Sequence, residues 1–256
     1  MSEEKSGDLF GVKPIGDAIK IATQGVVDGA SAFLSRICLP AAEEFGLALK
    51  DRVKAWRTAN VVSVAQKAEA HVGDADVHAP PRIVAKILDE SSWVDDSYVQ
   101  DMWAGLLASS CSEVGDDDSN LLFLNTLANM TKAQASMLNY FCDNVKIFAA
   151  ENGLPWTEEL SLTPSQLMEI SGISDIHRLD REVDHMRGME LISGGFTLGS
   201  DDASVKVTAL GLGLYIRCRG SRKTPTEFWS LEMQVPPIVQ EIRDLRASID
   251  DSKSKT

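Results

Sequence analysis

Only one stretch of this sequence reads with a period of two, and it constrains the rest of the fold. The runs Leu191–Leu198 (LISGGFTL) and Ser204–Thr208 (SVKVT) are β-like, and Gly199-Ser-Asp-Asp between them is a hairpin turn signal. What surrounds the hairpin is helical in spacing. Thr131 and Gln134 form a capping box, and Ala135, Leu138, Phe141, Cys142, Val145 and Phe148 follow at helical intervals. Thr163 before Pro164 opens a short helix that ends at Gly172, and Ser174 is the expected cap of a third, with Ile176, Leu179, Val183 and Met186 on one face. A last helix, Ala209 to Arg219, closes at Gly220. Three helices, a hairpin and a closing helix are the order of a winged-helix-like domain, expected over residues 130–220.

Upstream, residues 13–129 read as helices alone, so the expected fold class is mainly α, with an N-terminal helical domain before the winged-helix-like one. Pro40 is placed to start a long helix, with Glu43 and Glu44 at its positive end and Phe45, Leu49, Val53 and Trp56 along one face. The Pro/Gly-bounded loop at 73–81 leads to a short helix over 82–89. Asp95 or Asp96 then caps a helix striped with Val99, Met102, Trp103, Leu106 and Leu107, a core pattern. The acidic turn Gly115–Ser119 is positioned to cap a helix from near Asn120. Residues 1–12 are polar and expected to be disordered. Residues 221–256 form a tail broken by Pro225, Pro236 and Pro237, with a short stripe of Ile238, Ile242, Leu245 and Ile249. One and a half heptads are too few for a free coiled coil, so this stripe is expected to dock on the body or on a partner.

Charge narrows the function classes. The chain has 25 Lys+Arg against 38 Asp+Glu, a formal net charge of −13, and broad nucleic-acid binding depends on the opposite sign. The acidity is also local. The third helix of the winged-helix-like region carries Asp175, Asp180, Glu182, Asp184 and Glu190 against Arg178, Arg181 and Arg187, and Asp201 and Asp202 sit at the hairpin tip. A groove-reading helix and wing need to be basic. Basic residues gather in two other places instead: Lys50, Arg52, Lys54 and Arg57 after Pro40, and Arg217, Arg219, Arg222 and Lys223 after the last helix. These eight are the candidate interaction surface, with a protein partner or self-association the expected use.

Motifs for chemistry are missing. HExxH, P-loop, GxSxG and kinase signatures are absent, and Gly211-Leu-Gly213 lacks the third glycine of a dinucleotide loop. The stretch His71 to His78 (HVGDADVH) brings together metal-ligand types without matching a ligand spacing, and His177 and His185 read as surface residues. No catalytic residue, metal, cofactor or small-molecule substrate is therefore expected. Cys38, Cys111, Cys142 and Cys218 are far apart and fit a reduced compartment. The polar N-terminus lacks signal-peptide architecture, and no uncharged apolar run is long enough to span a bilayer, so the expected location is the cytoplasm. Ile15–Leu39 is apolar but interrupted by Asp17, Lys20, Asp28 and Arg36, and its Gly25/Gly29 pair allows close helix packing. Packing in the protein is the leading reading for it, and membrane association the minority one.

Three blocks in the chain resemble a known family: Leu39–Val61 (LPAAEEFGLALKDRVKAWRTANV), Pro80–Ser110 (PPRIVAKILDESSWVDDSYVQDMWAGLLASS) and Leu124–Phe141 (LNTLANMTKAQASMLNYF). The Glu-Glu pair after the proline, the Trp-Arg that follows and Met102-Trp103-Ala104-Gly105-Leu106-Leu107 are similar to the Abi-alpha family of bacterial abortive-infection proteins. The likeness covers about residues 30–145. It implies a role in phage defence, in which an infected cell stops growing or dies before phage multiply, and implies no catalytic residues. One position departs: Gly105 stands where the family pattern leads one to expect a polar residue, often Asn. The leading expectation is a non-enzymatic defence protein acting through protein contacts. The alternatives are a winged-helix DNA-binding regulator and a membrane-acting effector that uses residues 15–39.

Overall fold

The structure is a computed structural model that describes residues 46–73, 75, 77–150, 152–197, 199–231 and 242, with the backbone alone for 46–52. The expected N-terminal disorder, the 15–39 segment, the proline start of the long helix, Cys38 and most of the C-terminal tail lie outside the described residues. The fold is mostly helical, with small antiparallel sheets. Its elements are α1 (Gly46–Val72), α2 (Pro81–Ser91), α3 (Ser97–Ser109), α4 (Leu121–Ala128), α5 (Lys132–Asn144), β1 (Ile147–Ala149), β2 (Pro155–Thr157), β3 (Leu160–Leu162), α6 (Pro164–Ser171), α7 (Ile176–Gly188), β4 (Ile192–Gly195), β5 (Ala203–Val207), α8 (Ala209–Cys218) and α9 (Pro225–Phe228).

Local chemistry sets the helix starts. Asp96, the second of the two candidate caps, accepts from the Tyr98 and Val99 amides, and Lys132 reaches it at 2.6 Å. The hydrogen bond from Lys132 holds the Asp96 carboxyl below its ordinary range. Thr131 and Gln134 form the expected capping box at α5, and Thr163 and Gln166 form another at α6, where Pro164 occupies the first turn. The cap of α7 is Asp175 rather than Ser174: its carboxylate accepts from the His177 amide at 3.0 Å. At α4 the acidic turn does not supply the cap. The Asp118 carbonyl accepts from the Leu121 amide, and Asn120, the cap position, turns its side chain into the protein. There its amide donates to Ser110 Oγ at 2.8 Å and Ser109 Oγ at 3.1 Å, tying the start of α4 to the end of α3.

The stripe on α1 continues past Trp56 through Asn60, Val64 and Ala68, which face α3. Asn60 makes the seam partly polar. Its amide donates to the Ser92 carbonyl at 2.9 Å, Ser63 Oγ donates to Gln100 Oε1 at 2.8 Å, and Gln100 Nε2 donates to the Val94 carbonyl at 2.8 Å. These satisfied groups fix the register of α1 against the α2–α3 corner, since any slip strands buried amides without partners.

Two antiparallel sheets follow. One is the β1–β2 hairpin, with Phe148 opposite Trp156, and the other has the order β3-β5-β4, with Leu160 opposite Val205 and Ile192 opposite Val207. The first corrects the sequence reading, which left Phe148 on a helix. Val145 adopts an extended backbone (φ −76°, ψ 143°) and ends α5, and Phe148 lies on β1. The expected 191–208 hairpin is present as shorter strands, β4 and β5. Buried side chains from Val64 on α1 to Cys218 on α8 form one contiguous cluster that includes Trp103, Phe141, Leu179 and Val205. The helical first half and the mixed second half therefore share a core.

The closest backbone approach in this core is at Gly105. A Cβ there would fall on the carbonyl group of Cys218, far inside van der Waals contact, and 2.9 Å from the Gly220 amide nitrogen. The end of α8 thus lies directly on α3. Gly220 has φ +75°, the left-handed conformation that suits glycine, and stops the helix beside His71 at the end of α1.

Candidate functional site

The eight basic residues singled out from the sequence fall into two separate groups. Lys50 and Arg52 lie in the stretch for which only backbone is described, and Lys54 is exposed. Arg57 is fully engaged. Its Nη2 meets Asp89 at 2.6 Å, its Nε donates to Ser92 Oγ at 2.8 Å, and its guanidinium lies 4.1 Å from the centre of the Trp93 ring. Trp56 packs against the same indole at 6.3 Å between centroids. The other group surrounds the C-terminal end of α8, next to His71. Fourteen helical residues separate Arg57 from His71, a rise of about 21 Å, so the structure does not merge the two groups into one patch.

Two members of the α8 group have ion-pair partners within the fold. Arg219 faces Asp143 at 3.6 Å and lies over the Tyr215 ring, and Arg222 meets Asp117 of the acidic turn at 3.5 Å. Burial lowers the pKa of Arg217, and Asp117 opposes that shift. These arginines also sit where a helix C-terminus favours cations. The segment after α8 folds back onto it. Thr224 and Glu227 form a capping box for α9, Phe228 meets the Tyr215 ring edge-on at 6.2 Å, and Trp229 stacks on it at 5.9 Å.

Tyr215 itself donates a hydrogen bond to Asp143, and burial, then that bond, pushes its pKa up to about 12. A folded value above the ordinary 10.0 means that the native state holds this proton more tightly than the unfolded chain. The resulting stabilisation is complete below about pH 10 and is lost as pH rises towards 12. In a phenolate absorbance titration, one tyrosine should ionise near pH 12, and Tyr215→Phe should remove that step.

The third helix of the mixed half, α7, shows a mixed-sign exposed face. Arg178 pairs with Glu182 at 3.6 Å and Arg187 with Asp184 at 2.7 Å, so two of its three arginines are held by carboxylates of the same helix. Glu182 also accepts from Thr131 Oγ1 at 2.9 Å. His185 is exposed, as expected, and also makes a side-chain hydrogen bond. Gln134 turns its Oε1 to the Thr131 amide, so its Nε2 donates to His185 Nδ1 at 2.9 Å, tying α7 to the start of α5. At the hairpin tip, Asp201 is exposed and Ser200 Oγ donates to the Asp202 carbonyl.

Of the HVGDADVH stretch, His78 exchanges two backbone hydrogen bonds with Ser112 at 2.8 Å, His71 abuts Gly220, and Asp74 and Asp76 lie outside the described residues. Among the described residues no group of three or more His, Cys, Asp or Glu side chains is arranged to hold a metal ion, and no helix is long and apolar enough to cross a membrane. Cys142 and Cys218 are buried and Cys111 partly so, and burial pushes all three thiols up in pKa.

Sequence reasoning missed two aromatic pairs that stand off the core. Trp56 and Trp93 form one, with Trp93 53% exposed. Phe148 and Trp156 form the other, at 5.6 Å across the β1–β2 hairpin. Neither pair has a periodic signature, because each joins residues far apart along the chain or on three-residue strands.

Comparison with known proteins adds one finding. No curated protein and no solved structure matched the chain. A family model described as abortive infection alpha matches residues 56–208, more than half of the 256 residues, and the chain belongs to that family.

Proposed function

We propose that the protein acts in abortive infection as a non-enzymatic phage-defence protein of the bacterial cytoplasm, working through contacts with other proteins or with itself. The family match over residues 56–208 carries this reading. The order α5-β1-β2-β3-α6-α7-β4-β5-α8, with β5 central in the three-stranded sheet, supports a winged-helix-like arrangement for the second half. In that arrangement α7 takes the position of a reading helix. Two of its three arginines, Arg178 and Arg187, pair with Glu182 and Asp184 of the same helix, which favours a protein partner over the phosphate backbone of DNA.

Expression in a phage-sensitive host tests the proposal. Plaque formation should fall while infected cells die or stop dividing before phage release. Unchanged plaquing across a broad phage panel would remove the defence role. A mobility shift at low salt with about micromolar protein would replace protein contacts with DNA binding as the mechanism, since even non-specific binders register under those conditions.

A further inference from the structure

We infer that the outward face of α7 pairs with the same face of a second copy of this chain, the two helices running antiparallel about a two-fold axis. This rests on the proposed action through protein contacts and names the partner at that helix. Leu179, Val183 and Met186 are the buried side chains of α7. At about 100° per residue, the line opposite them runs through His177, Arg181, Asp184 and Gly188. All four are exposed, and so are Asp180 and Arg187 on one flank of the line. The spacing of four, three and four is that of the seam between paired helices.

Two features of this face are unused inside the fold. Among the described residues, neither Asp180 nor Arg181 makes an ion pair, although Arg178 and Arg187 on the same helix do. Gly188 ends the helix without a positive φ, and no atom lies within 4 Å of where its Cβ would be. Glycine in a helix is disfavoured against alanine, and neither backbone conformation nor packing within the chain calls for it here. It leaves a notch on the outermost line of α7.

The order of charges selects the occupant. With the axis between Glu182 and Val183, Arg181 faces Asp184 of the second copy, and Asp184 faces the second copy's Arg181. His177 meets the notch at Gly188 of the second copy, and Asp180 comes beside its Arg187. Each contact is made twice, as a closed isologous pair requires. Sliding one helix by about a turn sets Arg181 on Arg181 or Asp184 on Asp184. Like charges facing each other are unfavourable, so the match is particular to one register. A partner of a single sign meets repulsion somewhere along the line, and the phosphates of nucleic acid meet it at Asp180 and Asp184. With 13 residues, α7 is about 20 Å long. The paired surface is therefore small, and the association belongs to the weak, transient class.

Sedimentation velocity on the full chain at low salt, from about 1 to about 500 µM, tests this. The expected result is a concentration-dependent passage from monomer towards dimer that weakens in about 0.5 M salt. Arg181→Asp and Asp184→Arg, both at exposed positions, should each weaken association at least about tenfold, with unchanged circular dichroism. Mixed in equal amounts, the two variants present opposite charges to each other at both positions, so the mixture should regain the association that each alone has lost. A wild-type chain that stays monomeric throughout overturns the inference, and one that also binds duplex DNA gives the face to nucleic acid. A mixture no better than the single variants overturns it too, as does association that both variants leave unchanged, which places the interface elsewhere. Plaque assays on the same proteins keep the two readings apart. Protection by a monomeric chain leaves the defence role standing without the pair, and a dimer without protection removes the role and keeps the pair.

Discussion

Gly105→Ala should destabilise the protein by about 3 kcal/mol or more, at or above the upper end for overpacking a core. A side chain there meets backbone, the Cys218 carbonyl and the Gly220 amide, and not the far end of a flexible residue. Relief requires α3 and the end of α8 to separate, which also disturbs His71 against Gly220. For a chain of this size the melting temperature should fall by about 6–12 °C. Gly105→Asn should be worse, because it adds volume and a buried amide without partners. Gly188→Ala is the control. No atom lies within 4 Å of a Cβ at that position on α7, so it should be neutral or stabilise by up to about 1 kcal/mol. Thermal melts followed by circular dichroism give all three values. A Gly105→Ala protein as stable as wild type would mean that α8 does not lie on α3 as described.

This site also bears on the departure from the family pattern at Gly105. The structure gives a steric reason, visible only once residue 218 is known to lie against residue 105, and no local pattern encodes that contact. Elsewhere the division between legible and illegible follows the same logic. The α5 capping box, the Thr163-Pro164 start of α6, the Met102–Trp103–Leu106 stripe and the 191–208 hairpin each announce themselves within a few residues, and each is present. β1, β2 and β3 are three residues each, too short for a period of two to outweigh the helical spacing before them, so Phe148 was drawn onto a helix. The basic clusters were legible as composition. The partners Asp89, Asp117 and Asp143, which hold Arg57, Arg222 and Arg219 in ion pairs, come from other segments, so these pairings have no local signature.

The second large effect is expected at Trp103. Its indole is 1% exposed and lies in the cluster shared by both halves of the chain, so Trp103→Ala should cost about 3–5 kcal/mol through lost burial and the cavity left behind. That is a large share of the roughly 5–15 kcal/mol by which a domain of ordinary stability is held folded. The informative comparison is Trp93→Ala. Trp93 is 53% exposed and contributes a tilted contact to Trp56 and a ring face to Arg57, interactions worth about 1 kcal/mol at an exposed site. Urea denaturation should therefore separate the two variants by at least about 2 kcal/mol, with Trp103→Ala also lowering the amount of folded protein in cells and, with it, protection against phage. Because Trp103 lies in the cluster that spans both halves, a shared core predicts that denaturation of Trp103→Ala remains one transition by circular dichroism and tryptophan emission. Two separate transitions would instead show that the α1–α4 helices and the α5–α8 half unfold independently, and the single core would have to be given up.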